Sequence, residues 1–81
     1  ELPRVSREMA GSGTPVDRSA LTPGDLVFFG VHGSHVDHVG IYVGEGRSVH
    51  APRTGRDVTV SSLDGGYWSG KFLQARRVAG I

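Results

Sequence analysis

Apolar and polar positions alternate most regularly around a glycine-rich turn in the middle of the chain. In "HVGIYVG", Val39, Ile41 and Val43 point one way, while His38, Gly40 and Tyr42 point the other. After Gly44-Glu45-Gly46 the alternation resumes, with Val49 and Ala51 on one face and Ser48 and His50 on the other. The pattern predicts two antiparallel strands. Leu26-Val27-Phe28-Phe29 is a continuous apolar run bounded by turn signals, which predicts a strand buried on both faces. Pro23-Gly24, just before it, suits the central positions of a type II turn. "DVTVSSL" predicts a fourth strand with Val58 and Val60 in phase, and "FLQARRV" a fifth. "VHGSHVD" and the aromatic "DGGYWSGK" read as loops, and Ser6 is a candidate N-cap for a short helix that ends by Gly11 to Gly13.

Turn length fixes the register of the central hairpin. A two-residue loop at Glu45-Gly46 would place Ile41 opposite His50. A three-residue loop, Gly44 to Gly46, places Ile41 opposite Val49 and Val39 opposite Ala51. A slip of one residue turns every side chain to the wrong face, so the apolar pattern selects the three-residue loop, with Val39, Ile41 and Val43 as core and Gly46 in the left-handed conformation. In that register His50 lies across from Gly40 and diagonal to His38. Diagonal positions are roughly 7–8 Å apart, within reach of long side chains. The two imidazoles are expected to touch over the space that Gly40 leaves open. Asp37 neighbours His38 in sequence and therefore faces the other side of the strand, so it is not its expected partner.

Composition narrows the classes. The 81 residues make one domain, 1–81, and a chain of this length buries only roughly 60% of its unfolded surface. The thirteen glycines and four prolines fall between short apolar runs, as in a strand-rich domain rather than a linker. Nine basic and eight acidic residues are scattered along the chain, with no basic stripe for a nucleic acid. No apolar run is long enough to span a membrane. The sequence has no cysteine, which removes disulfides.

His38 and His50 are the candidate chemistry, and a strand histidine is more often merely solvated. His32, His35 and His38 also invite a zinc reading, but the first two sit in a Gly-Ser loop without supporting carboxylates. No cofactor and no metal is expected. Tyr67 and Trp68 read as core in preference to the lining of a substrate groove, Arg53 as a solvated loop residue in preference to a contact for a substrate carboxylate, and Gly40 and Gly44 as backbone requirements.

"LTPGDLVFF", "HVGIYVG", "SVHAP" and the aromatic turn before "ARRV" resemble the NlpC-type cell-wall peptidases, papain-like cysteine hydrolases of peptidoglycan, from Leu2 to Val78. The resemblance implies an α+β half-barrel, a mainly antiparallel five-stranded sheet with a short N-terminal helix. It implies that His38 is the catalytic histidine and His50 the polar third member that orients it. It further implies a peptidoglycan stem peptide as substrate, for instance at the D-glutamyl–diaminopimelate bond, and a periplasmic or extracellular location. The family's nucleophile lies in an Asp-Cys-Ser-Gly-like motif upstream of "LPR", and this chain departs from the family in lacking it. Ser34, Ser48 and Ser62 carry none of its context. The expectation is therefore the C-terminal part of a peptidase, inactive alone, whose cysteine helix is cut off, disordered or supplied by another chain. The alternatives are a cysteine-less module that binds cell-wall peptide or protein, and a truncated chain that pairs with itself. Without the cysteine helix, the face carrying His38, Tyr42 and His50 is expected to be bare, and its expected cover is the missing upstream cysteine-helix segment, a partner chain or a swapped copy of this chain.

Overall fold

The computed structural model describes residues 11, 13–50 and 59–78. Ser6 and its helix, Ala51, Arg53 and Val58 lie outside them. Strands β1 (Thr14–Pro15), β2 (Leu26–Phe29), β3 (His38–Gly44), β4 (Arg47–His50), β5 (Thr59–Ser62) and β6 (Phe72–Arg77) form one open antiparallel sheet in the order β1-β6-β2-β3-β4-β5. The five strands expected from the sequence are all present. The sixth, β1, is a two-residue pairing with Arg76 and Arg77. Pro15 is tolerated there because an edge position leaves its missing N–H unneeded.

Thr22 to Asp25 form the turn that Pro23-Gly24 predicts. Asp25 N–H donates to the Thr22 carbonyl, at 3.1 Å, and Gly24 takes φ +99°. The same corner is held by charge. Arg77 grips the buried Asp25 carboxylate with two nitrogens, Nε to Oδ1 at 2.8 Å and Nη2 to Oδ2 at 2.9 Å, and Thr22 N–H donates to Oδ2 at 2.9 Å. The Arg77 hydrogen bond, against the cost of burial, holds the Asp25 carboxyl below its usual value. Arg77→Ala is expected to lower the urea midpoint. Arg77→Lys should restore only part of it, because an ammonium cannot reproduce the planar two-point grip. Equal midpoints for the two variants would rule out that reading.

The central hairpin reaches the expected register by a different route. Gly44 pairs with Arg47, closing a two-residue turn in which Glu45 (φ +56°) and Gly46 (φ +74°) both take positive φ, the mark of a type I′ turn. A bulge between Tyr42 and Gly44 then absorbs one residue, so that Tyr42 pairs with Ser48 and Ile41 with Val49. The three-residue loop of the sequence reading is thus replaced by a tight turn plus a bulge. A type I′ turn follows the right-handed twist of the strands, and the bulge supplies the extra residue that the apolar pattern demands.

"DGGYWSGK" is also not a loop. Gly66–Lys71 form a helical turn, α1, leading straight into β6. Glycines at its start and interior give it poor intrinsic helicity, and tertiary contact holds it instead. Trp68 packs edge-on against Phe29, with centroids 5.1 Å apart. Arg18, in the short 3-10 turn Arg18–Ala20, donates to the Leu63 carbonyl and to Ser69 Oγ at 2.8 Å, and its guanidinium lies 4.7 Å from the Phe72 ring centre.

The largest departure concerns which face is buried. The alternation along β3 and β4 is as expected, but Ile41 and Val60 are 43% and 58% exposed, whereas His38 and His50 are each 4% exposed. Val27, Phe29, Leu63 and Ala75 form the buried cluster on the histidine face, with Val16, Leu21, Tyr42, Trp68 and Phe72 packed around it. Leu26 and Phe28 anchor a smaller cluster on the other face with Val36, Val39 and Val78. The face expected to be bare is covered by residues of this chain, because α1 and the 3-10 turn both fold onto that side of the sheet.

Candidate active site

Strand pairing positions the two histidines. β2 pairs Phe29 with His38 and Val27 with Gly40, and the Ile41–Val49 pair sets His50 one step from Val49 on the same face as His38. Nε2 of His38 lies 2.6 Å from Nδ1 of His50. The rings are perpendicular, with centroids 4.7 Å apart and an interplanar angle of 89°. Gly40 makes this approach feasible. A Cβ there would lie 3.3 Å from the His50 Cβ, 3.2 Å from the Val49 carbonyl oxygen and 3.4 Å from Val27 Cγ2.

Aromatic rings pack around the pair. Trp68 stacks on His38, with centroids 4.9 Å apart and planes at 26°, and meets His50 edge-on at 4.4 Å. Phe29 contacts both imidazoles, at 6.0 Å and 6.2 Å. Trp68 is half-buried and packs against the core cluster, as expected, though its neighbours are the two histidines; the expectation that Tyr67 is core does not hold, because the helix turns that ring outward. Tyr67 is exposed and touches Trp68 from outside. Asp37 turns its carboxylate to the N–H groups of Val31 and His32, at 2.8 Å and 3.0 Å, and so orders the loop that leads to His38 instead of bonding its ring. His32 and His35 are exposed in that loop. Among the described residues no three histidine or carboxylate side chains converge on a metal-sized site.

One partner was not picked out from the sequence. Ser61, on β5, places Oγ 2.6 Å from Nε2 of His50. The signal was the in-phase Val60, which turns Ser61 onto the histidine face. The segment 51–58 separates β4 from β5, however, and its length does not reveal which serine meets His50.

Burial lowers the basicity of both rings. Desolvation pushes His38 below its ordinary value, opposed by the negative charge of Asp37. Desolvation and the proximity of His38 push His50 down as well. Because the unfolded rings bind protons first, the stability from burying them neutral is fully present above the unfolded value of about 6.5 and is lost as pH falls below it. Urea midpoints are expected to fall as pH drops from about 7 to about 5, and the fall should be smaller in His38→Gln/His50→Gln. An equal fall in the double variant would contradict this account.

A small antiparallel sheet with a buried histidine pair at the start of one strand and the end of the next can move a proton at His38. Nδ1 is the nitrogen that the pairing with His50 does not engage. Comparison with known proteins gives this arrangement its family. The sequence model of the NlpC/P60 family matches residues 1–77, and the chain belongs to that family. Murein DD-endopeptidase MepH of Escherichia coli is 44% identical over 80 residues, covering 95% of this chain and 30% of that protein. Probable endopeptidase NlpC of Escherichia coli is 46% identical over 79 residues, covering 96% of this chain and 51% of that protein. A crystal structure of an NlpC/P60 family protein from Bacillus cereus superposes with a TM-score of 0.77 at 34% identity, covering 89% of this chain and 24% of that one. The chain thus spans between 30% and 51% of the length of these two curated relatives.

Proposed function

We propose that these residues form the histidine-bearing part of a cysteine peptidase that hydrolyses an amide of the peptidoglycan stem peptide. The observation that carries the reading is the buried contact between His38 Nε2 and His50 Nδ1, at 2.6 Å, in a chain of a family whose relatives are named murein endopeptidases. His38 is the catalytic residue and His50 positions it. The thiol comes from a segment outside these 81 residues, on the same polypeptide or a second chain, since the sequence has no cysteine. Trp68 then has to leave His38 Nδ1 accessible to that segment.

In this mechanism His38 Nδ1 takes the thiol proton, and the thiolate adds to the amide carbonyl carbon. The tetrahedral intermediate collapses, the C–N bond breaks, and the imidazolium returns its proton to the departing amine. Water, deprotonated by His38, then attacks the thioester carbon and releases the carboxylic acid and the thiol. Burial weakens His38 as a base, and an adjacent thiolate would reverse that shift by favouring the imidazolium. The setting is the bacterial periplasm or cell exterior, where the substrate lies.

The absence of cysteine favours a second reading, a module that binds cell-wall peptide without cleaving it. One pair of measurements separates the two. Under the enzyme reading, the chain completed by its cysteine-bearing segment cleaves purified muropeptides, with D-glutamyl–diaminopimelate and DD bonds both assayed. A completed protein that binds muropeptides at equilibrium yet releases no new amine would sink the enzyme reading and support the module.

A further inference from the structure

We propose that Ser61 is a positioning residue for His38, the terminal acceptor of a hydrogen-bond relay that selects the tautomer of His50. The inference rests on the reading of His38 as the proton-accepting residue. Both nitrogens of His50 are engaged, Nδ1 by His38 Nε2 and Nε2 by Ser61 Oγ, each at 2.6 Å, and all three residues are buried. A neutral imidazole carries one N–H, so His50 donates one of these bonds and accepts the other. Two directions satisfy the chain. If Ser61 donates to Nε2, His50 donates from Nδ1 and His38 holds its proton on Nδ1, where it cannot act as a base. If Ser61 accepts from Nε2, His50 accepts at Nδ1 and His38 keeps its proton on Nε2, leaving the Nδ1 lone pair bare.

Only the second direction suits catalysis, and protonation reinforces it. A charged His38 has a proton on both nitrogens, so it must donate to His50 Nδ1. His50 must then donate from Nε2, and Ser61 must accept. A hydroxyl can fill that role because it both donates and accepts. Its own proton requires a place too. Ser48, the Cα partner of Ser61 across β4 and β5, carries a buried oxygen that bonds no described residue, Ser61 included, and would take that proton only after one of the two hydroxyls turned toward the other. The strand register gives the relay its rigidity. His50 and Ser48 alternate on β4, and Thr59 and Ser61 on β5, so the face that holds the imidazoles also holds the hydroxyl.

The test uses the complete protein, cysteine-bearing segment included, with nitrogen-15-labelled histidine, and compares the parent with Ser61→Ala and Ser61→Thr. At a pH above the ring titrations, the parent is expected to show both His50 and His38 protonated on Nε2. In Ser61→Ala, His50 Nε2–H loses its acceptor, so both rings shift toward the Nδ1-protonated form. The turnover rate kcat should fall roughly three- to tenfold, the worth of one neutral hydrogen bond, with KM within about twofold. Ser61→Thr, which keeps the hydroxyl, should return tautomer and rate to the parent. Parent rings protonated on Nδ1, or tautomers unchanged in Ser61→Ala, would overturn the relay. A protein with the expected tautomers but no peptidase activity would leave the relay standing and bring down the peptidase reading instead.

Discussion

Replacing His38 with alanine is expected to lower amide hydrolysis by the completed protein about 1,000-fold, with little change in substrate affinity. A positioned general acid–base group contributes on the order of 100- to 10,000-fold, and in the proposed mechanism His38 acts twice in each half of the reaction, accepting and then returning a proton. The loss should therefore appear in kcat. Among the described residues His38 makes no salt bridge, and its ring packs against Phe29, Trp68 and His50, so truncation leaves a small cavity without an orphaned charge. The fold should survive, as judged by near-ultraviolet circular dichroism. His50→Ala should retain more activity than His38→Ala, because in the proposed mechanism His50 orients the base and never touches the reacting atoms. Equal rates for His38→Ala and the parent protein would remove His38 from the mechanism.

The second large effect is on stability. Phe29 is fully buried and touches His38, His50, Trp68 and Phe72. Phe29→Ala should cost about 3–5 kcal/mol in urea unfolding, the range found when a large core side chain leaves a cavity. In an 81-residue chain that is a large part of the total stability. The comparison residue is Val60, at 58% exposed on the opposite face of the sheet. Val60→Ala should change stability by no more than about 0.5 kcal/mol. A reading of the sequence in which the aliphatic face is core predicts the reverse order, so the pair of variants decides which face carries the stability.

That reversal shows what was legible in the sequence and what was not. Strand positions were, because alternation and turn residues are local signals. Leu26–Phe29, His38–Gly44 and the Ile41–Val49 pairing all follow from them. The contact between His38 and His50 was legible for the same reason, since register alone determines which side chains meet. Period-two alternation separates two faces without saying which is inward, however. Here the inward face was chosen by α1 and the 3-10 turn, and neither is visible as an amphipathic pattern. Gly66–Lys71 has glycine at both Gly66 and Gly70 and forms a helix only because Trp68 finds Phe29 and the imidazoles. Ser61 escaped for a related reason, since its role depends on a strand pairing across a connection whose geometry the sequence does not encode locally.

A cysteine brought next to His38 Nδ1 would enter a region of low dielectric, where its ionisation depends on forming an ion pair with the imidazole. Trp68 and Phe29 exclude water from the far side of that pair, and Asp37 adds a negative charge that favours the imidazolium. In the proposed mechanism, thiolate formation is thus the chemical event that ties the buried histidine pair to peptide cleavage.

Thiolate absorbance in the ultraviolet, followed against pH in the completed protein and in His38→Ala, tests that link most directly. A thiolate is expected already well below the ordinary thiol value of about 8.5, and it should be lost in His38→Ala, where the cysteine should titrate as a free thiol. A thiol that titrates near its ordinary value in the parent protein, or whose titration is the same with and without His38, would contradict it.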